Sequence, residues 1–462
     1  MTLTQSHMPA DLSGVSVLIA GGGLAGLCAA RDLAAWGATV TVVEARDHVG
    51  GRVQTAREGF IESQHAEAGG DMIDEAHYET HQLAKELRLS LVRILKGGFA
   101  YAKPSADGNV RLVGRSVGQS WRRLAEALSE VGQPYRLAEK RLESPIAREL
   151  ARRSVAEWLD AVHADEDIRA TATGLRGFFL ADPEELSLLE LIDQFASGDG
   201  DHRLGPGKMY RVKGGNDQLA TKMAEQLGDR VQCATELVAV SQRGRSVRAT
   251  IKNARRTSQV MVDYLVFALP ATLLRRVPIT PALPARQHEA IARLKYGRGT
   301  KTLLQFGRKF WRAPARPRAF GSPLPIGAIW EGNEEQRGRS GILSLLAGGS
   351  ASDLTADLVA KEGIPGMVRA LNWLGSTDAT MTGWRQFRWE ADAWARGGYA
   401  VFDSTFDPSL RGWLAQPCGR LFFAGEHTSR ACQGYMNGAV ESGRRAAAEV
   451  AATHRLGDPI TP

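Results

Sequence analysis

The chain has 462 residues, of which 43% are apolar, and a formal net charge of +7. A chain of this length can bury a large core and is predicted to form two or three domains. The small positive excess does not indicate a nucleic-acid-binding protein, and no apolar run reaches the roughly 18 residues that a membrane span needs. The four cysteines lie far apart without a Cys-x-x-Cys pair, which argues against a disulfide framework and favours a reducing compartment, by default the cytoplasm.

Residues 14–53 predict a β-α-β unit, in which a glycine turn separates the apolar strand VSVLIA from a helix and a second apolar strand. Gly21, Gly23 and Gly26 have the G-x-G-x-x-G spacing that allows a tight turn, close approach of a pyrophosphate and close packing of helix on strand. Glu44 ends the second strand, where an acid accepts hydrogen bonds from ribose hydroxyls. The alternative is a plain glycine turn with an incidental acid.

The remaining elements predict a second domain inserted into the first. Residues 80–200 are mostly helical in pattern, strand patterns return at MYRVKGG and in the segments after it, and the chain closes with the strand GRLFFAG and a long helix. The predicted class is α/β, with a discontinuous nucleotide-binding domain. Its predicted segments are 14–79, 205–275 and 412–455, the second domain takes 80–204 and 276–411, and the flexible termini are 1–13 and 456–462.

The segment EARDHVGGRVQT carries a second glycine turn and an arginine, Gly50, Gly51 and Arg52, just after the first nucleotide motif. A second diphosphate-facing loop suits FAD, whose long body must be held along its length, better than a nicotinamide dinucleotide. Here the sequence resembles the flavin-containing amine oxidase superfamily, which includes monoamine, polyamine and L-amino-acid oxidases. The resemblance implies a Rossmann-like FAD-binding domain of the GR2 type with an inserted α+β substrate-binding domain.

The resemblance covers most of the chain through EAGGDM, RVKGGNDQL, TELVAV and FFAGEHTSRACQGYMNGAVESGRRAA, and is weak across residues 80–205. It implies that Glu426 accepts a hydrogen bond from a hydroxyl of FAD and that the helix after Tyr435 points its positive end at the flavin. An ordinary capping loop before a terminal helix is the alternative. The implied FAD contacts are Gly21, Gly23, Gly26, Glu44, Ala45, Arg46, Gly51, Arg52, Gly69, Gly70, Asp71, Met72, Leu237, Gly425, Glu426, Gly434, Tyr435 and Met436.

Two residues are implied to be catalytic. Lys301, in RGTKTLLQF, matches the strand lysine that reaches the flavin through a water in this family, although a lysine in a strand is also typical of a solvated edge. Tyr435 resembles one wall of the aromatic cage that holds the amine. The other wall is expected from Tyr399, Trp389 or Trp394, or the cage is left open for a larger substrate. The two tryptophans have a core role as their alternative. Because Tyr399 stands where monoamine oxidases carry the attachment cysteine, FAD is expected to bind noncovalently.

The substrate class stays open between an amine and an L-amino acid. An amino-acid oxidase needs an arginine for the carboxylate, and the family position for it carries Met72 here. An arginine from the weakly matching region, such as Arg176 in GLRGFF, is the candidate instead. His77 and His81 have the i, i+4 spacing of metal ligands, but no third ligand follows nearby and no metal site is predicted.

The expected reaction is oxidation of the C–N bond to an imine, which water hydrolyses to a carbonyl compound or keto acid and ammonia, while O₂ is reduced to H₂O₂. The alternatives are a flavin-dependent desaturase acting on a C–C bond and a non-catalytic flavin-binding protein. The expected partners are the small-molecule substrate and O₂, with no nucleic acid or membrane and with a homodimer as one option.

Overall fold

The computed structural model describes residues 11–105, 109–112, 117–195, 207–313, 316–376 and 379–456. At its centre is a five-stranded sheet in which every pairing is parallel. Its strands, in spatial order, are Val231–Gln232, Thr39–Val43, Ser16–Ala20, Tyr264–Phe267 and Leu421–Phe423. These strands come from three distant parts of the chain, so the α/β class and the discontinuous arrangement predicted from the sequence are both observed.

Apolar helices cover this sheet, which is why its strands are apolar without alternation. Helix Leu24–Ala35 crosses the long C-terminal helix Met436–Leu456 at Gly443, where an added Cβ would lie 2.3 Å from the carbonyl oxygen of Ala25. Helices Gln218–Leu227 and Tyr78–Glu86 contribute buried residues to the same core. The core therefore joins the beginning, middle and end of the chain.

A seven-stranded sheet forms the second layer and is antiparallel except at one pairing. Its strands, in spatial order, are Met381–Arg388, Gly299–Phe306, Gly341–Gly348, Ala328–Glu331, Ala319–Gly321, Phe99–Pro104 and Val110–Leu112. Strand Gly299–Phe306 is paired on both sides and buried at all eight positions. The solvated-edge alternative for Lys301 is therefore wrong.

Smaller sheets connect the two layers. They comprise Thr257–Val262 with Ser246–Asn253, Thr235–Arg243 and Ile279–Thr280; Ile73–Asp74 with Met209–Val212 and Leu91–Ile94; Lys295–Tyr296 with Ala400–Val401; and Thr55–Ala56 with Ala66–Glu67. The other helices, including short 3₁₀ turns, are Val117–Leu137, Pro145–Arg152, Val155–Ala161, Glu166–Gly174, Arg176–Phe179, Leu188–Phe195, Gly228–Arg230, Ala271–Leu274, Ala285–Arg293, Ser350–Arg369, Asn372–Leu374, Pro408–Leu414 and Glu426–Thr428. Across the described ranges, no helix combines the length and the apolar character that crossing a bilayer requires.

The packing of the cores favours two domain boundaries that differ from the predicted ones. A boundary after residue 79 would cut helix Tyr78–Glu86, whose Leu83 lies in the core around the parallel sheet. Phe402 and Phe406 also pack with strand Leu421–Phe423, although the sequence assigned them to the inserted domain. We therefore propose that both segments belong to the nucleotide-binding domain.

The predicted flexible termini and the predicted limit at residue 205 lie mostly outside the described residues, which lack 1–10, 196–206 and 457–462. Within the predicted N-terminal tail, Leu12 is fully buried and donates its N–H to the carbonyl of Trp36 at 2.7 Å. Residues 11–13 are thus part of the folded chain, which corrects that prediction.

Candidate active site

A cavity of about 1180 Å³ extends from the parallel sheet to the seven-stranded sheet. Its lining includes the first glycine turn at one end and Phe99, Tyr101 and Trp330 at the other. Ligand sites in open α/β sheets lie at the carboxyl ends of the parallel strands, and the glycine turn occupies that position after strand Ser16–Ala20.

Each glycine of the first turn is required for a different structural reason. Gly21 has a φ of +110°, and an added Cβ on Gly26 would lie 2.0 Å from the carbonyl oxygen of Gly21. A Cβ on Gly23 would meet nothing within 4 Å, because this residue faces the cavity. Helix Leu24–Ala35 begins directly after it without a side-chain cap, so its first N–H groups are left for an anionic ligand.

Glu44 and Arg46 form the next part of the cavity wall, together with Ala45. The Glu44 carboxylate is buried and accepts the N–H of Gly22 at 2.7 Å and the N–H of Arg46 at 2.9 Å. The Arg46 guanidinium donates to both carboxylate oxygens of Asp392, at 2.9 and 2.6 Å. The positive charge expected to face FAD is therefore already paired within the protein.

The second glycine turn packs directly on the first. Gly50 donates its N–H to the carbonyl of Gly22 at 2.9 Å, and an added Cβ on Gly51 would lie 3.6 Å from the Cα of Gly23. Arg52 follows and donates from Nη1 to Glu426 Oε1 and to the carbonyl of Gly398, both at 2.8 Å. The two turns thus form one continuous wall.

The glycine pair of EAGGDM lies between this wall and the seven-stranded sheet. A Cβ on Gly69 would lie 2.0 Å from the carbonyl oxygen of Arg52, and a Cβ on Gly70 would lie 3.2 Å from the side chain of Met436. Asp71 and Met72 continue along the cavity, and Met72 packs against a cluster that contains Trp330.

Lys301 projects into a buried ionic cluster. Its Nζ donates to Asp71 Oδ2 at 2.8 Å and to the carbonyl of Gly69 at 3.2 Å, and it lies 5.0 Å from the centre of the Trp330 ring. Burial lowers the pKa of this ammonium, and the Asp71 carboxylate opposes that effect. The lysine is thus desolvated yet paired.

Three contributors to this cluster were not assigned a role from the sequence. Arg211 Nε donates to Asp71 Oδ1 at 2.5 Å, Trp330 Nε1 donates to Asp71 Oδ2 at 2.9 Å, and the Asn216 side chain donates to the carbonyls of Gly70 and Asp71. Arg211 and Asn216 lie in the segment RVKGGNDQL, whose resemblance to the family was the one feature of the sequence that could have indicated a role for them. Nothing near Trp330 in the sequence indicates its contact.

Tyr435 and Tyr399 lie at the same end of the cavity. Tyr435 keeps 40% of its surface exposed, and its ring lies 4.9 Å from the His77 ring. The Tyr399 ring packs against Gly434, and its hydroxyl donates to the carbonyl of Phe178. Both tyrosines occupy positions suited to contact a substrate.

The two tryptophans have other surroundings. Trp389 is buried, donates from Nε1 to the carbonyl of Ala68 at 3.1 Å, and packs on Gly69. Trp394 lies by the Arg46–Asp392 pair and donates its backbone N–H to Asp392. Both tryptophans line the cavity, and these contacts hold them in its wall.

Arg176 is wrong as a candidate for binding a substrate carboxylate. Its guanidinium is buried, donates to the carbonyls of Pro323 and Leu324 at 2.5 and 3.0 Å, and pairs with Asp182 at 3.4 Å. Its neighbours Leu175 and Gly177 line the cavity, whereas Arg176 does not. The side chain therefore joins elements of the inserted domain.

His77 and His81 have partners of their own. His77 Nδ1 accepts the N–H of Asp74 at 3.1 Å, and His81 Nε2 contacts the carbonyl of Asp74 at 3.0 Å. Burial lowers the pKa of His77 to about 4, so its imidazole is neutral at physiological pH. Within the described ranges, no group of three side chains is arranged to hold a metal ion.

The C-terminal segment completes the cavity. Gly425 and Gly434 have φ values of +128° and +80°, and the final helix starts at Met436 with its N-terminus at the cavity. Glu426 accepts hydrogen bonds from the N–H groups of Ala400 and Gly434 in addition to Arg52. Its carboxylate therefore connects three segments of the protein. Leu237 lies at the opposite end of the cavity, at a bulge in its strand.

These residues fit FAD. The cavity is long, and Gly23 leaves open the space that a side chain would occupy there. Two helices also begin at the cavity with their N-termini facing it. Glu44 retains acceptor capacity for a ribose, while Leu237 offers an apolar contact at the end where an adenine is expected. Tyr399 at the family's attachment position agrees with noncovalent binding.

Comparisons with known proteins agree with this geometry. The family described as flavin containing amine oxidoreductase matches residues 24–451. The chain is 26% identical to amine oxidase [flavin-containing] B of Sus scrofa, over 96% of this chain and 86% of that protein. It also matches the structure of cyclohexylamine oxidase from Brevibacterium oxydans IH-35A, with a TM-score of 0.82, 25% identity and coverage of 96% and 99%. Putrescine oxidase bound to putrescine matches with a TM-score of 0.81, 25% identity and coverage of 95% and 99%. The chain belongs to the flavin-containing amine oxidoreductases, an FAD-dependent family that oxidises amines.

Proposed function

We propose that this enzyme oxidises an amine that carries an apolar substituent and no α-carboxylate, with H₂O₂ as the second product. The balanced reaction is R₂CH–NH₂ + O₂ + H₂O → R₂C=O + NH₃ + H₂O₂. Bound FAD supplies the two-electron acceptor that takes the hydride and passes the electrons to O₂. The chain's own residues bind the amine, exclude water and hold a proton beside the reacting carbon.

The observation that carries the choice of an amine is the pairing of the cavity's cations. Among the described lining residues, Arg46 pairs with Asp392, Arg52 with Glu426 and Lys301 with Asp71. The remaining lining arginine, Arg276, follows Leu273 near the strand of Leu237, at the end of the cavity where an adenine is expected. An L-amino acid would need such a cation near the tyrosines.

The charges on the substrate side have the opposite sign. Asp74, Glu75 and Glu190 line this part of the cavity, near His77 and Tyr435. Glu75 pairs with Lys208 at 3.2 Å and Glu190 pairs with Arg411 at 3.5 Å, so Asp74 is the main source of negative charge here. A carboxylate brought into this region would meet like charges at low dielectric, whereas an ammonium group is attracted. Burial among apolar walls opposes this attraction, because desolvation favours the neutral amine, which has the lone pair that the reaction needs.

The tyrosines and the aromatic walls have separate tasks in this proposal. Tyr435 and Tyr399 hold the amine carbon in one orientation, while Phe178, Phe320 and Trp330 exclude water and contact the substituent. Lys301 holds a proton at Nζ, next to Gly69 on the wall where the flavin is expected. This division predicts that substituent size affects binding, whereas the amine's pKa affects the rate.

The test uses matched pairs of compounds that differ only in the carboxylate. The yellow holoenzyme is mixed anaerobically with phenethylamine and L-phenylalanine, and in parallel with tryptamine and L-tryptophan. We expect the amines to bleach the flavin absorbance and air to restore it with one H₂O₂ per carbonyl product. Equal bleaching by the amino acids would contradict the proposal.

The other two classes give different outcomes in the same assay. A desaturase would retain nitrogen in a product two hydrogens lighter than its substrate, which mass spectrometry of the products detects. A non-catalytic flavin-binding protein would stay yellow with every compound. Either result, across a panel of apolar amines, would overturn the proposed oxidase.

A further inference from the structure

A buried carboxylate holds Lys301 in place. Asp71 Oδ2 accepts from Lys301 Nζ at 2.8 Å and from Trp330 Nε1 at 2.9 Å, while Oδ1 accepts from Arg211 Nε at 2.5 Å. Lys301 and Arg211 are 2% and 1% exposed, and Asp71 is 8% exposed. Three donors from three different strands therefore meet on one side chain.

This arrangement fixes the direction of the lysine ammonium. An ammonium has three N–H donors, of which Asp71 takes one and the carbonyl of Gly69 takes another. The Trp330 ring lies against Nζ on a further side, at 5.0 Å. These two bonds leave one N–H of the ammonium for another partner, and Lys301 lines the cavity.

We propose that Asp71 is a positioning residue for Lys301, which orients the third N–H into the cavity where FAD binds and keeps the ammonium charged in a dry site. Asp71 does so through the lysine, not through a reacting atom of its own. The proposal depends on FAD binding and not on the identity of the amine.

The charged groups that face Lys301 agree with this role. Burial lowers the pKa of Lys301, Asp71 and Glu67 raise it, and Arg211 lowers it. On the two neighbouring strands, the residues opposite Lys301 are the uncharged Leu346 and Phe387. Removal of the Asp71 charge therefore lowers the pKa of the lysine.

While Asp71 is ionised, Glu67 does not supply the main negative charge beside Lys301. Burial, followed by repulsion from Asp71, raises the pKa of Glu67 to about 8, so this carboxyl group is mostly protonated at neutral pH. Its oxygens also accept from the Thr55 hydroxyl and from the N–H of Asn216. Asp71, whose pKa is lowered by Arg211 and Lys301 against burial, is the carboxylate that remains ionised beside the lysine.

Glu331 provides a matched control for the loss of a buried carboxylate. It follows Trp330 on the same strand, and it is 1% exposed. It accepts from Trp311 Nε1 at 3.2 Å and from Arg312 Nε at 3.0 Å, which are the same donor types that Asp71 has. Glu331 does not line the cavity, so its charge is remote from Lys301.

The experiment measures the bound flavin without any substrate. The visible spectrum and the midpoint potential of the holoenzyme are titrated against pH in the wild type, Asp71→Asn and Glu331→Gln. We expect Asp71→Asn to move the titration to lower pH by about 1 to 3 units, the usual effect of a close opposite charge. We expect Glu331→Gln to leave it in place and Asp71→Glu to restore it.

A second background separates positioning from a structural effect. This comparison uses a Lys301→Met background that also carries Glu67→Gln, because Asp71 raises the pKa of Glu67 as well. No ammonium is left to titrate there, so adding Asp71→Asn should offset the potential by a constant amount and move no step along the pH axis. An equal shift in that background would overturn the proposal, as would an unshifted titration in Asp71→Asn with FAD fully bound. Loss of FAD from both Asp71→Asn and Asp71→Glu would also overturn it, because the residue would then form the pocket itself. Because these titrations contain no substrate, a failure of the amine assay would not change their interpretation.

Discussion

Arg52 donates from Nη1 to Glu426 Oε1 at 2.8 Å, and this contact joins two loops that lie 374 residues apart. The same carboxylate accepts the N–H groups of Ala400 and Gly434. One buried carboxylate therefore connects the second glycine turn, the loop after Gly398 and the turn before the final helix. All three segments line the cavity in which FAD is expected to bind.

We expect Arg52→Met to weaken FAD binding and lower the free energy of unfolding by about 3 kcal/mol, because it leaves Glu426 buried without its cation. The Arg52 side chain is 22% exposed, which places the effect at the lower end of the range for buried pairs. Urea unfolding and the FAD retained after gel filtration measure the two effects. Glu426→Gln supplies the double-mutant cycle, and strictly additive losses would argue against a direct coupling.

Alanine substitutions at two glycines of the first turn should have different effects, one on FAD binding and the other on folding. Gly23→Ala places its methyl group in the cavity without touching protein atoms, so we expect a folded protein with a higher Kd for FAD. Gly26→Ala would put its Cβ 2.0 Å from the carbonyl oxygen of Gly21, so we expect a poorly folded protein. Circular dichroism and FAD titration distinguish the two. Equal unfolding of both variants would show that Gly23 is structural.

Local spacing explains why much of the nucleotide site could be predicted. The glycines at 21, 23 and 26 and the acid at 44 belong to one β-α-β unit, so the turn chemistry follows from a short stretch of chain. Gly434 and Tyr435 are similarly fixed by the segment before the final helix. In such segments the sequence specifies the backbone conformation, and the backbone alone makes the contact surface.

Long-range pairing explains what could not be predicted. Asp71 contacts Lys301 across 230 residues and Arg211 across 140 residues, so their shared cluster exists only in the folded chain. Arg176 shows the converse case, since it follows a cavity residue in sequence but turns its guanidinium to Asp182. Charge alone does not tell which arginine is free, because pairing depends on tertiary neighbours.

Lys301→Met should slow oxidation of the amine or reaction of the reduced enzyme with O₂ by about 10² to 10⁴-fold, the usual loss for a proton-handling group. Lys309→Met is the control, since Lys309 follows the same strand and is also partly desolvated, but it lies near Glu331 and does not line the cavity. Stopped-flow measurement of flavin bleaching and recovery separates the two half-reactions. Unchanged rates in both would remove Lys301 from the mechanism.

Arg176→Gln should lower stability without changing the KM for the amine. The substitution removes the cation beside Asp182, which keeps its hydrogen bonds from Ser350, and it removes the guanidinium donor of two backbone carbonyls. Loss of one partner of a buried pair costs about 3 to 5 kcal/mol. Arg298→Gln breaks the exposed pair with Asp353 and should cost no more than about 1 kcal/mol. Chemical unfolding and steady-state kinetics test both statements, and a KM increase confined to Arg176→Gln would restore its role in substrate binding.

His427 predicts how stability changes below neutral pH. Burial lowers the pKa of its imidazole to about 4, against about 6.5 in an unfolded chain. Between these values the unfolded chain binds a proton that the folded protein excludes, so the free energy of unfolding decreases as the pH falls, by about 1.4 kcal/mol per unit. Above about pH 6.5 both states carry a neutral imidazole and the contribution is absent.

The total from His427 is about 3 kcal/mol at pH 4, and His77, whose pKa is also lowered to about 4, adds in the same direction. His427→Gln should therefore make the decrease between pH 6.5 and 4 shallower without abolishing it. His288→Gln, at an exposed position, is the control for replacing a histidine at the surface. Urea unfolding of the apoprotein at several pH values gives the slopes, and equal slopes for His427→Gln and the wild type would mean that this imidazole is protonated in the folded protein.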